Sequence, residues 1–90
     1  MMEIRRSQLF TKHFKKRISP SQSLRKQFYE RLSLFVINPR SPILRNHPLK
    51  GSKKGVHAFS ITGDIRIIYL ILSESEILLI DIGTHNQVYT

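Results

Sequence analysis

Apolar positions fall three and four residues apart through the first forty residues, then in near-continuous blocks over the last thirty-five. Leu9, Phe10, His13, Phe14 and Ile18 keep helical spacing, with Lys12, Lys15, Lys16 and Arg17 between them. They predict a basic amphipathic helix with Ser7 as its N-cap. A second stripe, Leu24, Phe28, Leu32, Phe35 and Val36, predicts another helix ending near Asn38. Ser19 is its expected cap, with Pro20 in its first turn. The weakly alternating "MEIRR" ahead of Ser7 reads as a short strand. From Asn38 to Gly55 the pattern dissolves into a Pro-, Gly- and Lys-rich loop with one extended piece at "HPLKG". Three strands follow: "VHAFSIT", "IRIIYLIL" and "ILLIDIG". A two-residue Gly63-Asp64 turn is expected between the first two. The order β-α-α-β-β-β predicts an α+β domain over residues 1–90, a helical hairpin packed on one face of a mainly antiparallel sheet, with the other face open.

Composition narrows the function. Ninety residues allow one thin core. There is no cysteine, hence no disulfide framework or thiolate metal site. No apolar run spans a membrane, and "MMEIRRSQLF" lacks the apolar region of a signal peptide, so a cytoplasmic protein is expected. Fifteen Lys and Arg against six Asp and Glu give a formal charge of +9. That excess points to a polyanionic partner, nucleic acid first, and invites an acidic protein chain that folds on binding. A merely soluble basic surface is the plainer reading.

Chemistry is concentrated in histidines. If the Gly63-Asp64 turn has two residues, Ile61 faces Arg66 and His57 faces Leu70. His57 and Arg66 then share the outer face, and Ser60 lies on the core face. His13 borders an apolar stripe and reads as structural or solvent-exposed. His47 opens the lysine-rich loop before Pro48. His85 follows the last strand, and the apolar Val88 and Tyr89 after it argue that the tail docks. No H-x-x-x-H pair exists, no serine stands at a strand-to-helix elbow, and Gly51 and Gly55 lack the Lys-Ser/Thr ending of a P-loop. A metal site, a serine nucleophile and NTP hydrolysis are therefore not expected, and no cofactor is implied. RNA cleavage at its own 2′-hydroxyl does suit the set. It needs a base, an acid and cations around the phosphorane, which His, Arg and Lys supply at neutral pH.

Three stretches, "HPLKGSKKG" at 47–55, "AFSITGDIRIIY" at 58–69 and "IGTHNQVY" at 82–89, resemble the RelE-type toxins of toxin–antitoxin pairs, and within them the YafQ-like branch. The resemblance spans nearly the whole chain. It implies the RelE-like microbial ribonuclease fold, a metal-independent endoribonuclease that enters the ribosomal A site and cuts mRNA, and a cognate antitoxin. His47 and Asp64 match catalytic positions of the branch. His85 matches the active-site residue after the last strand, Tyr89 the terminal aromatic that stacks on substrate, and Arg66 the arginine on the scissile phosphate. His57 stands where some members place lysine, and Ser60 where the branch has a further histidine. The expected roles are His85 as general acid, His47 or Asp64 as base, and Arg66 on the phosphorane. Asp64 is alternatively the group that holds a histidine in its tautomer. His57 is expected to bind RNA, and Lys50, Lys53, Lys54, Lys12, Lys15, Lys16 and Arg17 are expected to grip ribosomal RNA. The rival readings are a ParE-like gyrase-poisoning toxin and a catalytically weak RNA- or antitoxin-binding module.

Overall fold

Strand β1 (Glu3–Arg6) leads through Ser7 into helix α1 (Gln8–Arg17). These assignments come from a computed structural model, which describes residues 2–49 and 55–89. Ser7 is the cap expected: its Oγ accepts from the Phe10 N–H at 3.0 Å and donates to the Ile80 carbonyl at 2.8 Å, tying the helix start to the sheet. Helix α2 (Gln22–Ile37) is capped by Ser21, not Ser19. The reason lies in α1, because the Ile18 and Ser19 N–H groups both donate to the Phe14 carbonyl. Ser19 therefore closes the first helix and is not free to open the second.

After a 3-10 turn at Pro42–Leu44 come β2 (His47–Pro48), β3 (Val56–Ser60), β4 (Ile65–Ser73), β5 (Glu76–Thr84) and a terminal helix α3 (His85–Val88). The sheet order is β1-β5-β4-β3-β2, antiparallel except for the parallel β1–β5 pair. The α+β architecture expected from the pattern is present; the extended piece expected at "HPLKG" is the two-residue edge strand His47–Pro48, and the tail adds a short helix.

The β3–β4 register differs by one residue from expectation. The Ile61 N–H donates to the Ile65 carbonyl at 2.8 Å, closing a three-residue loop. Thr62 Oγ1 accepts from both the Asp64 and the Ile65 N–H and stabilises the longer loop. Ser60 consequently opposes Arg66, and His57 opposes Tyr69. A one-residue slip exchanges faces. His57 and Arg66 therefore lie on opposite sides of the sheet, and Ser60 shares the Arg66 face and not the core face.

The main core lies between the helices and the sheet, built on Phe10, Phe28, Phe35, Phe59, Ile67, Leu79 and Ile82. A bulge in β5 leaves Ile80 out of the β4 pairing, which lets both Leu79 and Ile82 face the helices. Helix α1 is pinned over β5 by polar contacts. His13 Nδ1–H donates to Asp81 Oδ1 at 2.6 Å, and Arg17 donates to the Ile82 carbonyl at 2.9 Å. His13 is thus structural, and Arg17 is engaged within the fold instead of standing free for RNA. The opposite face is not fully open. Val56, Ala58 and Ile68 form a second small cluster there, covered in part by Leu49, Val88 and Tyr89. No helix among the described residues is long and apolar enough to cross a membrane.

Candidate active site

His47 stands on the edge strand, and the loop before it is built to present it. Leu44 is fully buried and anchors the 3-10 turn. Arg45 ends that turn in the left-handed region, φ 50°. A non-glycine residue pays about 1–2 kcal/mol for that conformation. It turns the Arg45 carbonyl toward His47, whose Nδ1–H donates to it at 2.7 Å. Of the two neutral tautomers this bond selects the one with its proton on Nδ1, which leaves the Nε2 lone pair facing outward as a proton acceptor. Asn46 braces the loop from behind. Its amide donates to the Pro39 carbonyl at 3.1 Å, and its Oδ1 accepts from the Tyr69 hydroxyl at 2.7 Å. Burial holds the Tyr69 phenol above its ordinary 10.0, an effect partly offset by the Asn46 hydrogen bond, and it remains a neutral donor.

Arg66 comes from β4, opposite Gly83 of β5. Gly83 lets three elements converge: a Cβ there would meet the Arg17 guanidinium and Gln87 Oε1, each at 2.7 Å. His85 opens α3 through a complete capping box. Thr84 Oγ1 accepts from the Gln87 N–H at 3.3 Å, and Gln87 Oε1 accepts from the Thr84 N–H at 2.8 Å. One turn later the Tyr89 ring lies 4.4 Å from the His85 ring, inclined at 56°.

His47, Arg66, His85 and Tyr89 line one cavity of about 350 Å³, with Pro48 and Leu49 completing its wall. No carboxylate is among these lining residues, so the cavity presents positive charge and imidazole to an anion. Four of the five residues expected to be catalytic are thereby brought together. Asp64 is not. It lies exposed in the three-residue β3–β4 loop, and its carboxylate does not line the cavity.

The residues expected to bind RNA are scattered. His57 faces the helix side of the sheet, its ring 5.5 Å from that of Tyr69 and its Nδ1–H donating to the Gly55 carbonyl at 3.2 Å. Lys12, Lys15 and Lys16 are exposed on α1, away from the cavity lining. Lys50, Lys53 and Lys54 lie outside the described residues. Among the described residues no group of three or more His, Cys, Asp or Glu side chains is arranged to hold a metal ion. Three contributors to the site lie outside the residues expected from the sequence: Arg45, Gly83 and the Thr84–Gln87 box. Only the box carried a readable signal, the T-x-x-Q spacing at the start of the tail.

Residues 2–90 match the family model described as bacterial toxin of type II toxin–antitoxin system, YafQ. Among solved structures, the chain is similar to YafQ in the crystal structure of the Escherichia coli DinJ–YafQ complex, with a TM-score of 0.83, 21% identity and 100% of both chains covered. It is similar to E. coli YafQ alone, with a TM-score of 0.81, 21% identity and 100% of both chains covered. A metal-bound toxin from Helicobacter pylori aligns with a TM-score of 0.81 and 26% identity over 98% of this chain and 99% of that one. No curated protein sequence matches the chain significantly.

Proposed function

The chain belongs to the YafQ family of bacterial type II toxins, and from that premise we propose that it is a ribosome-dependent mRNA endoribonuclease. The observation that carries this reading is the convergence of His47, Arg66, His85 and Tyr89 on one carboxylate-free cavity. His47 Nε2 takes the proton from a ribose 2′-hydroxyl. The freed oxygen attacks the adjacent phosphorus, and the bond from phosphorus to the 5′-oxygen breaks. His85 donates a proton to that departing oxygen. The products are a 2′,3′-cyclic phosphate and a 5′-hydroxyl. Arg66 neutralises the charge gathering on the phosphorane, and Tyr89 stacks on a neighbouring base. The His85 ring makes no hydrogen bond among the described residues, so both of its nitrogens are open to a substrate. Neither proton transfer calls on a metal, and Asp64 has no part in either.

The family and the DinJ–YafQ complex of the E. coli relative support a cognate antitoxin as partner. An acidic antitoxin segment over the cationic cavity fits the +9 charge. The site of action is the cytoplasm, where the ribosomal A site presents single-stranded codons.

Primer extension on a reporter mRNA tests the reading, with translating ribosomes and with free RNA, for wild type and His85→Ala. Cuts that require ribosomes and vanish in the variant are expected. Cuts retained by His85→Ala would overturn the assignment of the acid. Toxicity without cuts would move the protein to gyrase poisoning or to a binding module.

A further inference from the structure

A second and larger cavity, about 610 Å³, opens on the helix side of the sheet. That volume is within the range of small-molecule sites. Strand β2 is the ridge between the two cavities, because His47 and Pro48 line both. His57 and Tyr69 form part of the second cavity's wall. Their rings are stacked, with an interplanar angle of 28°, and Tyr69 is backed in turn by Phe35 at 5.2 Å. Phe35 meets Tyr69 edge-on, at 74°, and holds it in place, so the stacked His57–Tyr69 pair is a platform for a base, whose π-face any such surface can receive. Arg40 and Glu74, of opposite charge, also line this cavity. Both are exposed, and neither makes an ion pair or side-chain hydrogen bond among the described residues.

We infer that this second cavity is a guanine-binding subsite for a nucleotide of the RNA strand flanking the cleaved bond. The sugar–phosphate chain crosses β2 at His47, and the base drops to the far side onto His57. The choice of base follows from hydrogen-bond chemistry. A carboxylate accepts two adjacent donors, and guanine alone among the four bases offers them, at N1 and N2. Its O6 and N7 are the acceptors that a guanidinium grips. The neutral edges of adenine and uracil offer Glu74 no such pair. His57 therefore has a binding role that its position outside the catalytic cavity left without an account. The location of the subsite rests on the nuclease reading, whereas its occupancy can be measured without any cleavage.

The experiment is an NMR titration of the full chain, labelled in its histidine rings, with 5′-GMP, 5′-AMP and 5′-CMP, run beside the cleavage assay. The His57 signals are expected to move with 5′-GMP at roughly tenfold lower concentration than with the other two. Glu74→Gln, an exposed change that leaves the fold intact, is expected to erase the preference. His85→Ala is expected to keep it while losing cleavage. An equal response to all three nucleotides, or shifts confined to His47 and His85, would overturn the subsite. Guanine-selective shifts in a protein that cuts no RNA would leave the subsite standing and remove the nuclease reading. Cleavage without such shifts would do the reverse.

Discussion

His47 shows what one residue costs and what it needs. Its tautomer is held by a carbonyl whose own residue, Arg45, sits in a left-handed conformation. We expect His47→Gln to lower cleavage by roughly 10²- to 10⁴-fold, the usual range for a lost general base, with little change in denaturant midpoint. Arg45→Gly separates conformation from side chain. It keeps the carbonyl and removes the strain, so the unfolding free energy should rise by about 1 kcal/mol in equilibrium denaturation while cleavage survives. Tyr69 bears on pH. Its phenol is raised above 10.0, chiefly by burial. Folding therefore favours the protonated form, and the stability it adds is present below the unfolded value and lost as pH climbs through the folded one. Unfolding midpoints of wild type should fall in that alkaline window more steeply than those of Tyr69→Phe. The same variant should lose about 1 kcal/mol at neutral pH with the Asn46 hydrogen bond.

At the scale of elements, the helices and strands were legible because periods of 3.6 and 2 are written in apolar positions. Loop length was not. Thr62-Gly63-Asp64 reads equally well as a two- or a three-residue connection until Thr62 Oγ1 is seen holding two backbone N–H groups. That single hydroxyl decided which face received His57, Arg66 and Ser60. The convergence of His47, Arg66, His85 and Tyr89 was foreseeable from a family resemblance, whereas the place of Asp64 depended on the loop. The four-residue α3 is too short to stand by its own hydrogen bonds, so its capping box and the docking of Val88 and Tyr89 must hold it. Gly83→Ala tests this. Its methyl group would push Arg17 from the Ile82 carbonyl and Gln87 from the Thr84 N–H. Cleavage should fall more than thermal stability does, and the ring resonances of His85 should broaden.

Over the whole molecule the charge is strongly positive, +9, and what single residues add to it can be read by salt. The exposed Lys12, Lys15 and Lys16 lie outside the catalytic cavity. Replacing each with Gln should weaken ribosome binding and lower the slope of log affinity against log salt by about one unit per residue. The cleavage rate at saturating ribosomes should hold. The sheet itself has an order in time. β1 pairs in parallel with β5, joining Glu3 to Glu76, and His85 and Tyr89 follow β5. β1 thus finds its neighbour only after β2, β3, β4 and β5 have been translated, and His85 and Tyr89, the proposed acid and stacking ring, come after His47 and Arg66 in the chain. On the proposed reading, a chain translated only through β4 holds His47 and Arg66 but lacks two of the four side chains that converge on the cavity, and it should cut no RNA.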